Sequence, residues 1–399
     1  MAIRTLDDLA LDGTSVGVRV DINSPLGEDG SLADDARLRA HVDTLAELLD
    51  RGAKVTVLAH QGRPGGSEFE PLEAHATRFD ELLDAPVMYT DATSSCGARD
   101  AIDRLDPGQA LLLENTRFYS EEYMEFEPAR AAQTHLVSRL APHFDAFVND
   151  AFAAAHRSQP SLVGFAHELD AYAGRVMEAE IDVLGNIDQT PTPRAYVVGG
   201  AKVPDAIRVI RHGIEAGLAD DVLTAGLVAN VFLMADGIDL GEEAADYIME
   251  KDFWEQIDRA AELLEEHGDQ IHLPVDVAVK TDGERQEIPV EELPTADDGD
   301  VMDIGSQTVE AYAERLDGMG TAILNGPAGV FENPAFQLGT KQLFQVVADT
   351  EYSVVGGGDT ARAIRKFGIE GFDHVSTGGG AALAMLTGQE LPAIEALET

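Results

Sequence analysis

Cysteine is almost missing from this 399-residue chain: Cys96 is the only one. That excludes an internal disulfide and a cysteine-based zinc site, and it fits the reducing cytoplasm. Tryptophan occurs once and aromatic residues make up 6%, yet hydrophobic residues reach 44%, enough for a sizeable core. The length points to two or three domains. No apolar run approaches the about eighteen residues of a membrane span. The opening Met1-Ala2-Ile3-Arg4-Thr5-Leu6-Asp7-Asp8 lacks the basic-then-apolar order of a signal peptide.

Positive charge is also scarce. Lys and Arg total 28 against 73 Asp and Glu, a formal net charge of -45, and only six of the 28 are lysines. Such a surface repels duplex nucleic acid and anionic membranes. It is either a heavily hydrated acidic surface or an adaptation to molar salt, where screening over a few ångströms removes the self-repulsion. The same field repels a phosphorylated substrate, so the places where Arg and His gather are informative.

Strand-like apolar runs occupy residues 15–20, 53–59, 111–113 and 146–148, and helix-like stretches occupy 36–49 and 129–140, the latter with Pro128 at its start. A helix-like stretch over 174–185 leads into Asp188-Gln189-Thr190-Pro191-Thr192-Pro193. Strand-like runs resume at 195–198, 221–224, 271–274, 321–324 and 352–355. The alternation predicts βαβ units on mostly parallel sheets, with a domain boundary between Gly174 and Pro193. The acidic stretch 290–303 reads as a solvated connector.

The second half carries four glycine-rich turns: Gly199-Gly200-Ala201-Lys202-Val203, Asn325-Gly326-Pro327-Ala328-Gly329-Val330-Phe331-Glu332, Gly356-Gly357-Gly358-Asp359-Thr360 and Ser376-Thr377-Gly378-Gly379-Gly380-Ala381. Glycine lets backbone N–H groups approach phosphate oxygens, and a following helix N-terminus adds positive potential. There is no P-loop, and no Gly-x-Gly-x-x-Gly follows an early strand. Asp359 suits either a magnesium contact or a helix N-cap. The first half instead gathers Asp21-Ile22-Asn23, Arg37, His60-Gln61-Gly62-Arg63-Pro64, Arg117 and His156-Arg157 near the ends of apolar runs. Bidentate guanidiniums meeting at one sheet edge suit a small polyanion. Two ligands on two domains imply hinge closure before transfer.

Together these segments resemble phosphoglycerate kinase from about Val18 onward. The resemblance rests on Val18-Arg19-Val20-Asp21-Ile22-Asn23-Ser24-Pro25-Leu26, on His60 to Pro64, on Leu113-Glu114-Asn115-Thr116-Arg117-Phe118, on Asn149-Asp150-Ala151-Phe152 with His156-Arg157, and on the four glycine turns. It implies an α/β protein of two doubly wound, Rossmann-like parallel-sheet domains joined by a hinge helix. Residues 1–175 would bind 3-phosphoglycerate, 176–380 the nucleotide, and 381–399 would pack back on the first domain. It implies that Asp21, Asn23, Arg37, His60, Arg63, Arg117 and Arg157 hold 3-phosphoglycerate or 1,3-bisphosphoglycerate. Lys202, Glu332, Gly357, Gly358, Asp359 and Thr360 would serve MgATP or MgADP, with Glu332 on the ribose and Asp359 on Mg²⁺. Arg37, Lys202 and the metal would neutralise the moving phosphoryl group. A monomer is expected.

Two positions depart from the family pattern. Many members carry a second lysine where this chain has Ala206, and Arg208 lies roughly 240° around the helix from Lys202. Ala225-Gly226-Leu227-Val228 stands where many have consecutive glycines. The competing readings are another small-molecule kinase or ligase, an NAD-dependent dehydrogenase and a non-catalytic anion-binding protein. The absent dinucleotide fingerprint speaks against the second, and ligand-type residues in both halves speak against the third.

Overall fold

The computed structural model describes residues 3–27, 30–281, 283–294 and 300–398. The chain forms two compact units, one of Met1–Asp182 with Glu390–Thr399 and one of Val183–Gln389. The first boundary thus falls inside the helix Arg175–Leu184, and the helix Gly380–Leu386 belongs to the second unit. The last ten residues return to the first unit, where the Ala393 N–H donates to the Ala155 carbonyl at 3.1 Å.

The first unit holds β1 (Ser15–Arg19), β2 (Lys54–Leu58), β3 (Val87–Thr90), β4 (Ala110–Leu113), β5 (Ala146–Asn149) and β6 (Ala171–Ala173). They form one parallel sheet in the order β3-β4-β2-β1-β5-β6. Its central strands are apolar on both faces, as a sheet covered on both sides requires. Thr56, Asn149 and Arg19 are the buried polar residues of these strands, and Arg19 at the end of β1 is the charged one. The expected helix over 36–49 is two helices, Ala36–Ala40 and Val42–Asp50. The break lies at His41, whose side chain turns inward to Asp150 and the Asp21 backbone. The stretch 129–140 likewise divides into Pro128–Ala131 and His135–Leu140.

The second unit continues with β7 (Arg194–Val198), β8 (Asp221–Thr224), β9 (Ile271–His272), β10 (Asp276–Thr281), β11 (Glu284–Pro289), β12 (Asp300–Ile304), β13 (Thr321–Asn325), β14 (Ser353–Gly356) and β15 (His374–Val375). The parallel sheet runs β15-β14-β13-β7-β8-β9, the doubly wound order with its reversal between β7 and β13. In the first unit the reversal lies at β1, between β2 and β5. Between β9 and β13 the chain inserts an antiparallel sheet, β11-β10-β12. This corrects the reading of 290–303 as a solvated connector. Residues 295–299 lie outside the described residues, but β12 follows them and buries Asp303.

Candidate functional site

At the carboxyl ends of β1, β2, β4 and β5, the first unit gathers the basic residues expected from sequence. Asp21 is buried and its Oδ2 accepts from Arg37 Nη1. Burial pushes the Asp21 carboxyl up, but the guanidiniums of Arg37 and Arg19 outweigh it and hold the group at about 2. The Gly62 N–H donates to Asn23 Oδ1 at 2.8 Å, and Arg117 Nη1 donates to the Gly62 carbonyl at 2.7 Å. The turn after β2 is thereby tied to the loops after β1 and β4. Arg117 Nε is buried without an acceptor, and burial together with Arg157 and Arg19 lowers its pKa to about 10. Arg157 is partly buried, and its Nε donates to His156 Nε2 at 3.2 Å. The charges of Asp21, Arg63 and Arg37 all reach Arg157, with Arg63 itself exposed. The cluster therefore has spare donors and strained cations, the electrostatics of a site made for an anion.

Behind this layer lies one that the sequence analysis missed. The Arg19 Nη2 meets His60 Nδ1 at 2.8 Å and its Nε donates to Ser161 Oγ at 2.9 Å. Ser161 in turn donates to Glu122 Oε2 at 2.6 Å. A guanidinium can only donate, so His60 Nδ1 accepts and the ring's single proton sits on Nε2. Burial, then Arg19, pushes the His60 pKa well below its ordinary value, so the ring stays neutral. A second chain runs through His41. Its Nδ1 lies 2.7 Å from Asp150 Oδ2, and its Nε2 accepts from the Asp21 N–H at 3.1 Å. Asp150 Oδ1 also accepts from the Val176 and Met177 N–H groups at 2.9 and 3.3 Å, holding the first turn of the helix Arg175–Leu184. An arginine inside a valine-rich strand is the one signal that could have flagged Arg19.

In the second unit a cavity of about 580 Å³ opens beside the β7/β13 reversal, within the size range of small-molecule sites. Its floor includes Gly200, Gly226, Pro327 and Ala328. At three glycines here the backbone N–H is already taken by a carbonyl. The Gly199 N–H donates to the Asn325 carbonyl, Gly200 to Pro327 and Gly226 to Ala328, at 2.7–3.0 Å. A Cβ on Gly326, at φ +93°, would lie 2.2 Å from the Gly199 carbonyl oxygen. Here glycine serves close backbone packing at the reversal. Gly357 and Gly358 differ: nothing crowds Gly358, and Gly357, at φ +97°, caps the helix Gly358–Phe367 without a side-chain bond.

Asp359 is therefore not the N-cap but a first-turn residue lining the cavity, as does Glu332. Both carboxylates pair with Arg362, which lies 3.3 Å from Asp359. Thr360 is buried, and its hydroxyl accepts from the Gly326 N–H at 2.9 Å, joining the β13 loop to this helix. Lys202 is exposed just before the helix Val203–Glu215, beside the lining residue Ala201. Ala206 is buried in that helix, and Arg208 is occupied by Asp205. Asp303 accepts from Arg285 and the Gly339 N–H, each at 2.8 Å, below the loop that carries Glu332. Burial raises the Asp303 carboxyl to about 6 despite these donors.

Among the described residues no helix is long and apolar enough to cross a membrane, and no group of three or more His, Cys, Asp or Glu could hold a metal. A family model described as phosphoglycerate kinase matches residues 6–389. The chain is 64% identical over 397 residues to the phosphoglycerate kinase of Halobacterium salinarum, covering 100% of both chains. It is 64% identical to that of Natronomonas pharaonis, covering 99% of both. Among solved structures, the phosphoglycerate kinase of Pyrococcus horikoshii OT3 superposes with a TM-score of 0.93 at 41% identity, over 99% of this chain and 98% of that one. That of Coxiella burnetii gives 0.82 at 32%, over 100% and 99%. With ordered motifs, doubly wound sheets and full-length identity all pointing one way, the chain belongs to the phosphoglycerate kinase family.

Proposed function

We propose that the chain transfers a phosphoryl group reversibly between 1,3-bisphosphoglycerate and ADP, giving 3-phosphoglycerate and ATP. The observation that carries this is the contrast between the two units in an acidic protein. One concentrates Arg19, Arg37, Arg63, Arg117 and Arg157 around the buried carboxylate of Asp21, and the other opens a largely apolar cavity with Glu332 and Asp359 in its wall.

In this reading Arg63, Arg117 and Arg157 grip the substrate phosphate, while Asp21, Asn23 and the His60 Nε2–H orient its glyceryl and carboxylate groups. Glu332 accepts from the ribose hydroxyls, and the open helix start at Gly357 and Gly358 receives the phosphates. Thr360 holds that helix against the Gly326 turn. Asp359, a hard oxygen donor in the cavity wall, fits Mg²⁺, which on a nucleotide takes one or two carboxylates and completes its shell with phosphates and water. When bound, the metal neutralises charge on the phosphates. The acceptor is a carboxylate, already deprotonated at neutral pH, so no general base is required. Arg37 and Lys202 then supply positive charge to the phosphoryl group in transit. The two ligands must be brought together for transfer, which makes hinge bending part of the proposal. A monomer working in the cytoplasm completes it.

The test is a coupled assay with MgATP and 3-phosphoglycerate, acetate or glutamate as acceptor, across a KCl series. Turnover with 3-phosphoglycerate alone is expected. Turnover with acetate or glutamate and none with 3-phosphoglycerate would overturn the assignment.

A further inference from the structure

Among the described residues lining the cavity of the second unit, Arg362 is the single cation. The same lining includes the carboxylates of Asp246, Glu250, Asp300, Asp303, Glu332 and Asp359, of which Arg362 pairs with the last two. Asp303 is matched by Arg285 from behind. Without Arg362 the lining residues would carry only negative charge, leaving Lys202 beside Ala201 and Lys366, whose Nζ donates to the Phe331 carbonyl at 2.6 Å, to offset it in a protein of net charge -45.

The setting of Arg362 is specific. It sits one turn after Asp359 on the helix Gly358–Phe367, and helical side chains lean back toward the N-terminus. That direction leads to the open Gly357-Gly358 helix start. Its guanidinium lies over the Phe331 ring, 5.1 Å from the centroid, and bridges Glu332 and Asp359. Those are the two carboxylates assigned above to the ribose and the metal. With the side chain about half exposed, the bridge is weak and exchangeable.

We propose that Arg362 is a nucleotide-binding residue, held by Glu332 and Asp359 in the free protein and turned to the polyphosphate when a nucleoside diphosphate takes Glu332. This rests on the reading that the cavity receives the nucleotide. It also supplies the nucleotide side with a second cation in a chain that has alanine at position 206. Arg208, the basic residue next along that helix, is already paired with Asp205.

Isothermal titration calorimetry separates the possibilities without turnover. Adenosine, metal-free ADP and MgADP are titrated into the unaltered protein, Arg362→Ala and Arg362→Lys, at the lowest KCl that keeps the protein folded. Arg362→Ala should raise the Kd of metal-free ADP about three- to tenfold, the worth of one charge-assisted contact at a half-exposed site. MgADP, with less charge to match, should lose less. Adenosine should bind no more weakly, because Glu332 no longer has a competitor, and Arg362→Lys should recover part of the ADP loss. An unchanged or lowered Kd for ADP would overturn the proposal, as would equal weakening of ADP and adenosine, which is what lost packing on Phe331 would produce. If neither ligand binds the unaltered protein, the nucleotide reading fails and takes this inference with it.

Discussion

Asp150 is the place where substrate geometry and chain geometry meet, and removing its carboxylate gives a prediction with a calculable size. The side chain is fully buried and accepts from three donors: His41 Nδ1, Val176 N and Met177 N. In Asp150→Ala all three lose their acceptor. Leaving a buried donor unmet costs about 1–3 kcal/mol. Taking the two short bonds near the middle of that range and the 3.3 Å Met177 bond near its lower end gives a loss of about 4–5 kcal/mol. Asp150→Asn keeps one oxygen for the helix turn but turns an NH₂ toward His41, so about half that loss is expected. Urea unfolding at constant molar KCl measures the loss. Hydrogen exchange at Val176 and Met177 locates it, because those amides should lose protection in the alanine variant and keep most of it in the asparagine variant. The KM for 3-phosphoglycerate should rise in both, since His41 also holds the Asp21 N–H. A loss below about 1 kcal/mol in Asp150→Ala, with protection of the two amides intact, would refute the reasoning.

Two further predictions concern charge. Arg37→Ala should lower kcat roughly a hundredfold, as loss of a group that stabilises charge developing only in the transition state does, whereas Arg157→Ala should chiefly raise KM for 3-phosphoglycerate by removing uniform grip; steady-state kinetics with the reverse ranking would overturn these roles. The melting temperature should climb steeply with KCl because the -45 charge repels itself when unscreened; a flat profile from about 0.1 M to about 3 M, where the Debye length falls from roughly 10 Å to below 3 Å, would remove the salt-adaptation reading.

The central strands were legible because a strand buried on both faces must be an apolar run, and β1, β2, β4, β5, β7 and β13 are such runs. The short edge strands β3, β6 and β15, of two to four residues, carry too little pattern to stand out. The β10–β12 insert was hidden for another reason: the exposed, charged Glu284–Pro289 reads as loop unless its antiparallel partners are known. Local periodicity also misled at His41, where the helical pattern continues through a break imposed by Asp150, 109 positions away. The glycine turns show the limit of motif reasoning. Gly199 and Gly357 look alike in sequence, yet one has its N–H consumed by Asn325 and the other opens a helix.

Arginine shows most clearly what a sequence can and cannot reveal here. In a chain with so few cations, the arginines of the first unit were recognisable as a set from their positions at strand ends. What each one does depends on its partner. Arg19 faces Ser161 across 142 positions of chain and fixes a tautomer on His60. Arg362 meets Glu332 from 30 positions away, and no motif marks it. The acidic background thus makes every cation a candidate, and only the fold separates a buried guanidinium that braces the first unit's cluster, such as Arg19, from one paired with exposed carboxylates in a cavity wall, such as Arg362.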